Sequence, residues 1–228
     1  MAGEAEGSPK KGRRSQGRAR SARRGSRAAE DDRSGIIRTA LELAVIEGWG
    51  RVSLSSIAAA ADLSLADAYR IFPSKGAILQ AFIESVDEQV LASGTTDLEE
   101  PARDRLFEVL MRRFDALNPH KAAVAAIMRD GTDPSVWVGG VPAFLRSMAW
   151  MLEAAGLSSS GLEGLVRVKG VSLIWANAAR VWLRDDSADM SKTMAALDKG
   201  LRQAEALMAM FSRRGRAEPR APDGYEDP

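Results

Sequence analysis

From Ser34 onward apolar residues recur at spacings of three and four, the period of an α-helix, and no stretch alternates as a strand would. Ile37, Leu41, Ala44 and Val45 share one helical face, and Gly48 ends the segment. Short helices are predicted at residues 55–61 and 65–72. A longer one starts near Ser74 and carries Ile78, Leu79, Phe82, Ile83, Val86 and Val90. Ser93-Gly94-Thr95-Thr96 reads as a loop and divides the chain there. The second half reads as five more helices. Pro101 suits a first turn, ahead of Leu106, Leu110 and Leu117, and Pro119 opens the next, with Val124 and Ile127. Residues 130–142, rich in Gly and Pro, are expected to be irregular. A helix with Leu145 and Leu152 then ends at Gly156, and one over 161–183 is apolar nearly all round toward its end. The fold class is all-α.

The last helix carries the most regular pattern. Met190, Met194, Leu197, Leu201, Ala204, Met208 and Phe211 are spaced 4, 3, 4, 3, 4 and 3, an a/d seam. Packing within the chain and pairing between two copies both produce this spacing. A lone core-facing helix usually shows a broader stripe, which favours helix pairing.

Composition narrows the function. Hydrophobic residues make up 45% and charged residues 28% of the chain, with no cysteine and one histidine, His120. Disulfides, thiolate sites, cysteine nucleophiles and multi-histidine metal sites are therefore excluded. The longest apolar stretch, residues 171–183, contains Ser172, Asn177 and Arg180 and is too short to span a bilayer. The basic N-terminus has no apolar segment behind it, so no secretory signal is expected. Residues 1–33 hold ten Lys/Arg against five Asp/Glu, and the remainder hold 22 against 26, so an arm of +5 precedes a body of −4. The arm has no large apolar residue and is expected to be disordered, either as a solvated tail or as a flexible contact for a polyanion. The expected organisation is an arm at 1–33, a first domain at 34–92, a second at 97–213 and a disordered tail at 214–228.

The chemistry concentrates between Arg51 and Lys75. Ser53 is placed to cap a helix containing Ile57 and four alanines, Asp62-Leu63-Ser64 makes a tight turn, and Ser64 with Asp67 forms an S-x-x-D cap on the next helix. Alanines at 58–61 allow two helices to approach closely. This is the build of a helix-turn-helix whose second helix enters a major groove.

These residues resemble the TetR family of transcriptional regulators. The likeness runs over roughly 34–84, through Ile37, Ala40, Gly48, Ser53, Ile57-Ala58, Ala61, Leu63-Ser64, Ala68-Tyr69, Phe72, Ser74-Lys75 and Ile78-Leu79. It implies phosphate contacts from Ser53, Tyr69 and Lys75, and a recognition helix presenting Ser64, Leu65, Ala66, Asp67, Tyr69 and Arg70 to operator DNA, with Arg51 adding charge. The family usually has Gly then Thr where this chain has Ala66 and Asp67. A carboxylate facing the groove would repel phosphate by about 1 kcal/mol when solvated, whereas as a cap it would favour its own helix. The resemblance also implies a homodimer joined through the last two helices, with Trp182 added to the seam, and a body that encloses a small apolar effector. Phe107, Met111, Phe114, Met128, Trp137, Phe144, Met148 and Trp175 are the candidate lining, though residues at such spacing also make ordinary core. Residues 177–199 resemble the lipid-binding ubiquinone-biosynthesis accessory family on the same fold, a second reading without DNA binding.

No phosphate loop, dinucleotide loop or serine elbow is present, so no enzyme and no cofactor are expected. His120 is expected to be a solvated surface histidine, Arg180 to form an ion pair, and Asp185-Asp186 to border a loop. Together these describe a cytoplasmic regulator acting on double-stranded DNA, without membrane insertion.

Overall fold

The computed structural model describes residues 30–94 and 96–215, without the side chains of Ala209 and residues 211–215. Among these there are nine α-helices and no strand. The head comprises α1 (residues 30–47), α2 (Leu54–Ala60) and α3 (Leu65–Ile71), followed by α4 (Lys75–Ala92). The body comprises α5 (Ala102–Leu117), a 3-10 turn (Asn118–His120), α6 (Lys121–Arg129), a π-helical turn (Val136–Gly140), α7 (Val141–Ala154), α8 (Gly161–Trp182) and α9 (Ser191–Gly215). The basic arm lies outside the described residues up to 29, but residues 30–33, assigned to it by composition, begin α1. Residues 214 and 215, assigned to the tail, end α9.

In the head, Leu41 and Ala44 turn inward as expected, joined by Ile36 and Ala40, while Ile37 is half-buried and Val45 is exposed. Gly48, at φ +85°, ends α1 in a conformation that a side chain disfavours. Trp49 follows, wholly buried. α4 belongs to both halves, because its buried face (Ile78, Leu79, Phe82, Val86, Val90) packs against α5, α7 and the π-helical turn.

The segment expected to be irregular is ordered. Asp133 caps its own turn by accepting from Ser135 N at 2.9 Å, and the chain passes from the π-helical turn directly into α7. Pro101 stands as the cap of α5 and not in its first turn. α8 and α9 pack along each other, with Gly200 lying against Ile174. Asp185 holds the turn between them, accepting from Thr193 N at 2.8 Å, Thr193 Oγ1 at 2.7 Å and Ser187 N at 3.2 Å. The Ser187 hydroxyl, which donates to the same carboxylate, and after it the Thr193 donors hold its carboxyl well below the usual carboxylate range. Asp186 beside it is solvent-exposed.

Candidate nucleic-acid interface and body cavity

The first turn of α2 is closed by a reciprocal cap. Ser53 Oγ accepts from Ser56 N at 3.0 Å, and Ser56 Oγ accepts from Ser53 N at 3.0 Å. Sequence reasoning finds Ser53 but misses Ser56, because a serine at the third helical position is a less familiar partner than glutamate. The link to α3 turns on Asp62, at φ 55°, a left-handed position that aspartate tolerates. Leu63 N donates back to Ala58 O at 3.0 Å. Ala58 and Ala68 are buried, so no bulk separates the two helices. Ser64 Oγ accepts from Asp67 N at 3.1 Å and donates to Asp67 Oδ2 at 2.6 Å, and Arg70 pairs with Asp67 Oδ1. The outer face of α3 presents Leu65, Ala66, Asp67, Tyr69 and Arg70, with Leu65 55% and Tyr69 65% exposed. Arg51, Ser53 and Ser64 are exposed as well.

Residues 36–82 match the family model described as "Bacterial regulatory proteins, tetR family". Over the whole fold, the chain is similar to a TetR transcriptional regulator from Nitrosomonas europaea ATCC 19718, with 25% identity, a TM-score of 0.60, and coverage of 76% of this chain and 97% of the other. A TetR transcriptional regulator from Rhodococcus sp. RHA1 shares 22% identity at TM-score 0.56, covering 75% and 97%. A tetR-family transcriptional regulator from Streptomyces coelicolor shares 22% identity at TM-score 0.53, covering 85% and 92%. The head is a TetR-family domain, and the fold is the TetR fold. No curated protein sequence matches the chain. The likeness to regulators does not favour the lipid-accessory reading of residues 177–199.

One residue expected on the TetR-family DNA face stands apart from it. Lys75 is largely buried and donates to Asp133 Oδ2 at 2.7 Å and to Trp49 O at 2.8 Å. Its ammonium also sits 4.8 Å from the centre of the Trp49 ring. No sequence signal pairs Lys75 with Asp133, which lies 58 positions away in a segment read as irregular.

The TetR-type body holds a partly open cavity of about 260 Å³. It is lined by Leu79, Phe82 and Ile83 of α4, Arg113 and Leu117 of α5, Val124, Ile127 and Met128 of α6, Val136 and Gly140 of the π-helical turn, Val141 and Phe144 of α7, and Trp175, Ala176 and Ala179 of α8. Of the expected lining, Met128, Phe144 and Trp175 are there. The remainder are corrections. Phe114 is wholly buried behind the wall, stacked on Trp175 at 5.1 Å, and Met148 is wholly buried in the core. Phe107 and Met111 pack against the core away from the lining. Trp137 is exposed, its indole N–H donating to Gly131 O at 2.6 Å.

At the cavity wall, where Arg113 lines the void, lies an ion pair that sequence reading missed. Arg113 pairs with Asp87, their side chains 2% and 10% exposed, and Ser147 Oγ donates to Asp87 Oδ1 at 2.6 Å. Burial lowers the guanidinium's pKa, against the pull of Asp87. Trp175 Nε1 and Arg113 Nε are buried without a hydrogen-bond partner. His120 is not a solvated surface residue: it is half-buried, edge-on to Phe82 at 5.2 Å, and burial lowers its pKa. Arg180 is exposed and, among the described residues, forms no ion pair, because it lies on the outer side of α8.

The seam on α9 divides. Trp182 and Leu197 are wholly buried, Met190 and Leu201 nearly so, and Met194 and Ala204 are half-buried, so this part is consumed by packing inside the chain. Met208 is exposed, and the Phe211 side chain lies outside the described residues. Off the seam, Leu162, Leu165, Val166 and Leu173 of α8 and Leu207 and Met210 of α9 are exposed as well.

Proposed function

We propose that the protein is a transcriptional repressor that binds operator DNA as a homodimer and is released by a small apolar ligand in the body cavity. The observation that carries this is a capped, solvent-facing α3 on a TetR-family head, joined through α4 to a body with an apolar cavity. Tyr69 and the Ser53 hydroxyl are phosphate donors on that face, and Leu65 and Ala66 are of a kind that contacts thymine methyl groups in the major groove. The Arg70 guanidinium beside Asp67 reduces the local repulsion of phosphate, by an amount that solvent keeps small. Homodimerisation is supported by the exposed leucines and valine of α8, which continue across to α9. The cavity is larger than the roughly 150 Å³ void that holds benzene, which leaves room for about ten non-hydrogen atoms. Acting on DNA places such a protein in the cytoplasm.

Genomic DNA capture tests the reading with the wild type, Tyr69→Ala and Asp67→Thr. Enrichment of a short palindrome by the wild type, lost with Tyr69→Ala, is expected, and Asp67→Thr should tighten binding up to about fivefold. A wild type that enriches nothing and instead co-purifies with an isoprenoid lipid would move the protein to the lipid-presenting reading.

A further inference from the structure

Residues 130–140 face two ways. Toward the head, Asp130 Oδ2 accepts from Gly50 N at 2.9 Å, Asp133 Oδ2 accepts from Lys75 Nζ at 2.7 Å, and Ser135 Oγ accepts from Trp49 Nε1 at 2.9 Å. The contact is backbone-close where the π-helical turn meets the start of α4: a Cβ on Gly139 would fall 2.4 Å from Gly76 O. Toward the body, Val136 and Gly140 of the same segment line the cavity. The segment is therefore a clasp that grips the turn after α1 and the N-terminus of α4, the two points from which α2 and α3 hang.

Lys75 is the centre of the grip. Two of its three donors are used within the protein, and its charge lies over the Trp49 ring. To reach a DNA phosphate it would have to break both hydrogen bonds and leave the Asp133 carboxylate, 13% exposed, without its counter-charge. Removing one member of a mostly buried pair is costly, whereas a pair kept intact fixes direction as apolar packing does not.

We infer that Lys75 is a positioning residue that sets the angle of the head through Asp133, and not a phosphate contact. This rests on the proposed binding of operator DNA, and the two can fail separately.

The test is operator affinity of the full chain as a function of salt, using the palindrome recovered by capture. Lys75→Met and Asp133→Asn should each weaken binding by about tenfold at fixed salt. The double variant should be no weaker than either, and the slope of log K against log salt should stay that of the wild type. Gly139→Ala, which leaves both charges in place but drives a methyl into the backbone of Gly76, should give a similar loss. The inference is overturned if Lys75→Met lowers the salt slope by about one while Asp133→Asn, freeing the lysine, tightens binding. It is equally overturned if Gly139→Ala binds like the wild type. A wild type that binds no operator removes the DNA reading before any substitution is made.

Discussion

The side-chain hydrogen bonds that shape the DNA face, Ser53 with Ser56, Ser64 with Asp67 and Asp67 with Arg70, all close over three residues. In the body, the bonds at the cavity wall join Asp87 to Arg113 and to Ser147, 26 and 60 positions away. The first set is exposed and shapes two short helices that could be altered without disturbing the core. The second is buried between α4, α5 and α7, where every group depends on a partner from another helix. Surface pairs such as Asp67–Arg70 contribute up to about 1 kcal/mol, while breaking a buried pair costs about 3–5 kcal/mol. The head is thus built to present chemistry, and the body to hold the fold and its void.

Breaking the buried pair should give the largest effect. Asp87→Ala leaves the Arg113 guanidinium without its counter-charge and should lower stability by about 3–5 kcal/mol in urea unfolding. A loss below about 1 kcal/mol would put the pair in the same class as Asp67–Arg70 and remove the contrast. Next comes the void itself. Val141→Phe should fill part of the cavity, weaken naphthalene binding by at least about tenfold in calorimetry, and leave stability within about 1 kcal/mol. Unchanged naphthalene affinity would show that the probe binds elsewhere. In the head, Ser64→Ala removes the cap of α3 and should cost about 1 kcal/mol, read in urea unfolding.

The smallest effect concerns His120. Burial depresses its folded-state pKa below the ordinary 6.5, so the unfolded chain takes up the proton first as pH falls. At neutral pH and above both states are neutral and the residue adds no pH dependence. Below about 6.5 it lowers stability until the folded-state pKa is passed. His120→Gln should remove that slope, read as Tm against pH between 7 and 5. A wild type and variant that melt in parallel across this range would return His120 to the class of solvated residues.

The same contrast governs what was legible in the sequence. Ser53, the Asp62 turn and Ser64 with Asp67 signal themselves within a few residues, so the helix-turn-helix is readable from spacing alone. The helix count follows from periodicity, although on α1 the buried face takes in Ile36 and Ala40 and leaves Val45 exposed. The cavity was only partly legible. Met128, Phe144 and Trp175 were found because large residues at helical spacing mark inward faces, but that rule cannot separate a wall from the core behind it, where Phe114 and Met148 lie. The clasp was illegible for a further reason. Gly and Pro in residues 130–142 read as an irregular stretch, yet Gly139 is there because a backbone must pass against Gly76. The seam on α9 was real as a pattern, but a heptad spacing does not say which helix it meets, and Leu197 and Leu201 meet their own chain.

The π-helical turn at Val136–Gly140 makes the chain's numbering matter as much as its chemistry. Its closing bond, from Val141 N to Val136 O, spans five residues where an α-helix spans four, so the turn holds one residue more than an α-helix would. Deleting a single residue there would let α7 run back as an unbroken α-helix. The segment just before the deletion, residues 130–135, would then rotate by about 100° relative to α7 while α4 stays packed on it. Asp133 and Ser135 would swing off Lys75 and Trp49, although neither had been substituted. In this protein, related chains that differ by one residue at that point are expected to hold their heads at different angles, whatever their side chains share.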